Sequence, residues 1–180
     1  MELEQKRASN RAILGYVIGG LLVLILFPSL IYFGTYFLNS LYAVEIVQTQ
    51  LAKLAVAVPL LLIGFVFSIW SIIIQYIIGK GGPTEVANIE ISPKTRNLVV
   101  MGPYKYTRNP MLFGTFLAYL ALAVFINSLN SLFLVIIFIV CMLLVIKKSE
   151  EKRLLKDFGS RYEEYRRKTS MIVPWFPRKP

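Results

Sequence analysis

Residues 111–146 read MLFGTFLAYLALAVFINSLNSLFLVIIFIVCMLLVI, and not one of them carries a charge. Two apolar blocks, Met111–Ile126 and Ser131–Ile146, flank the short connector Asn127-Ser128-Leu129-Asn130. A four-residue connector leaves the second block no course but back along the first. Uncharged runs of this kind suit hydrocarbon, where a helix can cross because it satisfies its own backbone. The stretch therefore reads as a transmembrane helical hairpin whose blocks, slightly short at sixteen residues each, extend into polar helix at their far ends.

Two further blocks precede it. Ala12–Leu38 is about 40 Å of helix at ~1.5 Å per residue, more than the ~30 Å of hydrocarbon, so it spans with tilt, and Pro28 predicts a kink. It lacks the short core and small-x-small cleavage site of a signal peptide and reads as retained. Leu54–Ile78 also spans, with Pro59 near its start and Trp70 and Tyr76 towards its end. The 56% apolar content over 180 residues agrees with this reading. The predicted fold is all-α and polytopic, with about four transmembrane helices, a short C-terminal helical hairpin and a helical tail. Residues 1–78 form the first membrane helices. Residues 79–180 form one integrated unit of loop, hairpin and tail.

Charge assigns the sides. If all four blocks span, nineteen of the twenty Lys and Arg residues fall on one side: the N-terminus, the 79–110 loop and the tail beyond Ile146. Only Lys53 falls on the other. The positive-inside rule then makes both termini cytoplasmic. This distribution ties the net charge of +10 to anionic lipid and argues against nucleic acid as a partner.

Several chemistries are excluded by composition. There is no His, one Cys (Cys141, inside an apolar run) and one Asp (Asp157), so a His-activated nucleophile or a protein-built transition-metal site is not expected. The proposed spans hold no Asp, Glu, Lys or Arg, and Gln75 is their most polar side chain, which disfavours an ion-coupled transporter. Function is expected at the polar interface, in two stretches that the hairpin brings together.

The first stretch is Leu98 to Pro110, ending in Tyr104-Lys105-Tyr106-Thr107-Arg108-Asn109-Pro110. Asn109 and Pro110 suit an N-cap and a first helical residue, and Arg108 and the tyrosines suit a membrane interface, so a structural account of these residues exists. The second is Glu150-Glu151, which reads either as a solvated helix end or as carboxylates facing a ligand, with Arg108 binding an anionic group across the same cleft. Beyond it, Glu151, Leu155, Phe158, Tyr162 and Tyr165 recur at helical spacing on one face, and Gly159 interrupts the helix.

Together these stretches resemble the isoprenylcysteine carboxyl methyltransferase and phospholipid methyltransferase superfamily. The resemblance rests on Leu98-Val99, Gly102-Pro103-Tyr104, Arg108-Asn109-Pro110, Glu150-Glu151, Phe158-Gly159, Tyr162, Tyr165 and Pro174, in that order, over roughly residues 80–177. It implies methyl transfer from S-adenosylmethionine, at the cytoplasmic face of the membrane, to a lipophilic small-molecule or lipid substrate. By motif position, Leu98, Val99, Tyr104, Asn109, Pro110 and Glu150 would bind the cofactor, Arg108 and Glu150 would be catalytic, and no metal would be needed. Ile146 stands where the carboxyl methyltransferases place an arginine four residues before the glutamate, and Lys147 projects roughly 100° away. This departure disfavours a prenylcysteine carboxylate and favours an amine headgroup, a thiol or another small lipophilic acceptor. Two competing readings are a membrane reductase with a nicotinamide cofactor and a non-catalytic module that binds lipid or a partner.

Overall fold

The structure is a computed structural model that describes residues 13–15, 17–79, 85–86, 89–90 and 97–176. The N-terminal basic residues Lys6, Arg7 and Arg11, the loop cations Lys80, Lys94 and Arg96, and Arg178 and Lys179 lie outside the described residues.

The chain is helical and polytopic, as predicted. Helix α1 (Ile13–Leu41), helix α2 (Gln50–Gly79) and the continuous run Leu129–Phe158 are long and apolar enough to cross a membrane, and α3 (Pro110–Ile126) is a shorter apolar helix. The Leu129–Phe158 run divides into α4 (Leu129–Lys148) and α5 (Glu150–Phe158), and α6 (Ser160–Lys168) follows. In the long loop, Glu85–Val86 and Ile89–Glu90 pair as a two-residue antiparallel ladder.

Pro28 leaves its mark one turn upstream. Residues Leu22–Leu26 form a π turn, and the Phe27 N–H bonds back to Leu22 O. The next carbonyl in that pattern, Val23 O, would need an N–H from Pro28, which has none. The Tyr119 hydroxyl of α3 donates to it instead, at 2.7 Å. Tyr119 lies in the main buried cluster with Ile31, Ala123 and Val135, so the defect in α1 is repaired from the core. Pro59 is carried inside α2 without a break.

Helices α2 and α3 make the most extensive packing, and α1 packs chiefly on α4. The α2–α3 contact runs through Gly64 and Gly114. A Cβ on Gly64 would come 2.6 Å from Gly114 O, and one on Gly114 would come 2.5 Å from Gly64 O. Small residues let membrane helices approach backbone to backbone, where dispersion replaces the missing hydrophobic drive. In the sequence the two glycines are simply members of apolar blocks.

The hairpin turn is tighter than expected. Helix α4 already starts at Leu129, so the connector is Asn127 and Ser128 alone. Asn127 adopts the left-handed conformation (φ 61), which Asn tolerates better than most residues, and Ser128 caps α4 by accepting from Asn130 N. The fourth block, read as sixteen residues, is a helix of twenty.

Candidate functional site at the tail end of the bundle

The segment between Asn97 and Asn109 is seated first against α2. Gly102 has φ +62, and a Cβ there would come 2.9 Å from Ile74 Cγ1, so only glycine brings the chain this close to the helix without strain. Asn97 Nδ2 donates to Ile78 O at 3.0 Å, covering an end-of-helix carbonyl. The short 3-10 turn Gly102–Lys105 then turns Tyr104 towards α2, where its hydroxyl donates to Gln75 Oε1 at 3.1 Å. Gln75 opens a π turn, Gln75–Gly79, that ends the helix.

The tail closes on the same segment from the other side. The Tyr165 hydroxyl of α6 donates to Tyr104 O at 2.6 Å, and Thr107 and Ser170 form a parallel bridge. Arg108 is the junction. Its guanidinium meets the Glu151 carboxylate at 2.5 Å, with both side chains nearly buried, and its backbone N–H donates to Ser170 O at 2.9 Å. The loop and the tail, joined in sequence only through the hairpin, therefore share one surface.

Electrostatics follows from this geometry. Tyr162 is 1% exposed, and burial, reinforced by the Glu151 charge, pushes its phenol from 10.0 up to about 12, with the Arg108 guanidinium pulling the other way. Burial also raises the Tyr165 phenol. Both tyrosines are thus neutral near neutral pH, Tyr165 donating to Tyr104 O and Tyr162 accepting from Arg108, and the ionic chemistry rests with Arg108, Glu150 and Glu151.

The sequence-derived residues divide in a way the motif did not anticipate. Val99 is buried and Leu98 partly so. Tyr104 and Arg108 are held as described. Pro110 is the buried first residue of α3. Asn109 occupies the N-cap position but does not cap with its side chain; Nδ2 donates across to Met171 O at 2.8 Å. The two glutamates separate: Glu151 is 8% exposed and pairs with Arg108, whereas the Glu150 side chain is 45% exposed and lies 3.9 Å from Arg153. Gln75, Ser170 and the Met171 carbonyl were not read as parts of the site. Of these, only Gln75 carried a signal, as the lone amide in an apolar span. In the proposed one-face stripe, Glu151, Tyr162 and Tyr165 turn inward, but Leu155 is 37% exposed. Gly159 (φ +52) divides α5 from α6 as predicted.

The sequence model described as phospholipid methyltransferase matches residues 52–161. No curated protein and no solved structure matches the chain. The matched stretch begins near the start of α2, which the resemblance had left out, and runs through the loop, the hairpin and α5. It contains Gln75, Tyr104, Arg108, Glu150 and Glu151 and covers more than half of the sequence. The match spans more than half of a helical, polytopic chain and includes the Arg108–Glu151 junction, so the protein belongs to the phospholipid methyltransferase family.

Proposed function

We propose that the protein transfers a methyl group from S-adenosylmethionine to a lipophilic or membrane-embedded acceptor, with its site at the cytoplasmic face. The observation that carries this reading is the convergence at Arg108: a loop and a tail with methyltransferase motifs meet at one end of a membrane bundle. The one-sided distribution of Lys and Arg supports the cytoplasmic assignment, since Lys53 alone accompanies the opposite end.

The side chains gathered there suit the cofactor. S-adenosylmethionine carries a carboxylate, an ammonium, a cationic sulfonium, a ribose diol and a flat base, and it supplies an electrophilic methyl carbon when bound. The tail end offers guanidinium groups on Arg108 and Arg153, a half-exposed carboxylate on Glu150, the Tyr104 ring and the apolar Leu98 and Val99. Leu98, Val99, Tyr104, Asn109, Pro110 and Glu150 would hold the cofactor, with Glu150 accepting from its hydroxyl or ammonium groups. Glu151, paired with Arg108, would position that guanidinium. Arg108 would fix a polar group of the cofactor or the acceptor through its planar guanidinium. Displacement at a methyl carbon asks the protein mainly for alignment and a preorganised, water-poor site. The acceptor class favoured by Ile146 is an amine headgroup, a thiol or a small lipophilic molecule rather than a prenylcysteine carboxylate.

Isothermal titration of the detergent-solubilised protein with S-adenosylmethionine tests the reading. Glu150→Ala is expected to weaken binding by ~10-fold, about 1.4 kcal/mol, and Lys53→Ala to leave it unchanged. Equal effects of the two substitutions remove Glu150 from the site. A folded wild-type protein that binds no S-adenosylmethionine overturns the function.

A further inference from the structure

Residues 169–176 return along residues 104–109 as a strap, and backbone atoms do most of the holding. Ser170 O accepts from Arg108 N at 2.9 Å and Arg108 Nε at 3.4 Å. Met171 O accepts from Thr107 Oγ1 at 3.3 Å and Asn109 Nδ2 at 2.8 Å, and Trp175 N donates to Tyr106 O at 3.0 Å. The larger side chains of the strap are left facing outward: Val173, Trp175 and Phe176 are 60%, 70% and 79% exposed. Only the edge of Phe176 meets another ring, that of Tyr106, at 6.1 Å. In water, leaving each such side chain exposed forgoes ~1.5–3 kcal/mol of burial.

Position in the bundle says what covers them. Helix α3 has seventeen residues, about 25 Å at ~1.5 Å per residue, against ~30 Å of hydrocarbon. The residues just ahead of Pro110, Tyr106 among them, therefore lie at the boundary of the bilayer rather than above it. Trp175 is hydrogen-bonded to Tyr106 and shares that depth. On the last turn of α2, Tyr76 and Ile77 are likewise exposed. Between Lys147 and Lys168 the tail also carries nine Lys and Arg against five Asp and Glu, a charge suited to anionic headgroups. Trp is the side chain best suited to this layer, apolar in bulk with one polar N–H.

We infer that Val173-Pro174-Trp175-Phe176 is an interfacial anchor, inserted at the headgroup–acyl boundary of the bilayer that holds the helices. The lipid surface seats the strap, and the strap, through Ser170 O, fixes Arg108. This surface is independent of the methyl-transfer reading, and its test reads position rather than activity. Wild type and Trp175→Phe are reconstituted in vesicles of phosphatidylcholine and phosphatidylglycerol, and their difference spectrum isolates Trp175 from Trp70. Trp175 emission is expected to be quenched more by bromine carried high on the acyl chain than by bromine near its end, and severalfold less by aqueous iodide than free tryptophan is. Iodide quenching equal to that of free tryptophan, with no bromine effect, overturns the anchor. In the same vesicles Trp175→Ser with Phe176→Ser, a change of two exposed side chains, is expected to speed amide exchange at Arg108 by ~10-fold. An unchanged rate overturns the coupling from lipid to Arg108.

Discussion

The two ends of the bundle are both densely hydrogen-bonded, but they use different chemistry. At the hairpin-turn end the working groups are neutral amides and hydroxyls. Asn127 Oδ1 accepts from Ile46 N and Val47 N at 3.2 and 2.9 Å, and its Nδ2 returns a bond to Val47 O at 2.9 Å. Asn39 Oδ1 accepts from Ser128 Oγ and Asn130 Nδ2, and Leu129 N donates to Val44 O. This closes the loop between α1 and α2 onto the turn. At the tail end the same structural task, tying a loop to distant chain, is given to a nearly buried ion pair and two tyrosines. Neutral amides suffice where the only demand is closure. A nearly buried charge pair carries a desolvation cost that the neutral network avoids, and here it is carried at the end where the motif residues gather.

The largest expected effect comes from breaking that pair. Glu151→Ala leaves Arg108 nearly buried without its partner and is expected to cost ~3–5 kcal/mol of stability, read as a lowered thermal midpoint in detergent. The double substitution Arg108→Met with Glu151→Leu is expected to recover most of the stability and none of the cofactor binding. Recovery of both would make the tail end a structural clasp like its counterpart. At the hairpin-turn end, Asn127→Ala removes three hydrogen bonds and places alanine at positive φ. It is expected to cost ~2–3 kcal/mol while leaving S-adenosylmethionine affinity unchanged, and a parallel loss of affinity would erase the contrast between the ends.

A smaller effect separates the ends by pH. The Tyr162 phenol titrates at about 12 in the folded protein and at 10.0 without its surroundings, so its protonated form favours the fold. That contribution is complete below pH 10 and is lost as pH rises from 10 towards about 12. Unfolding followed against pH is expected to show a shallower alkaline decline in Tyr162→Phe than in wild type, the remainder coming from the buried Tyr165 phenol, whose value is raised in the same direction. The amide network of the hairpin-turn end has nothing that titrates there.

Much of this was legible in the sequence because membrane helices announce themselves by length and absence of charge, and because a short turn leaves the second helix only one course. The meeting of Tyr104 with the tail followed from that topology. The choice between Glu150 and Glu151 did not. It depends on helical phase through Ser149 (φ −106, ψ −70), where α4 gives way to α5 with an irregularity that neither Pro nor Gly marks. Asn109 takes the N-cap position, but its side chain does not cap, for a related reason: Nδ2 donates to a carbonyl 62 residues away, which orients the amide across to the tail. Distant backbone acceptors leave no trace in local pattern. The Gly64–Gly114 contact was hidden in the same way, since a glycine in an apolar run looks alike whether it faces lipid or a neighbouring helix.

That glycine contact also bears on how the proposed lipophilic acceptor would gain entry. With each backbone lying where the other's side chain would be, α2 and α3 cannot slide past one another or part without vacating their shared seam. A route between the two helices at this point would have to break that backbone contact, whereas one on either flank of the pair would leave it intact.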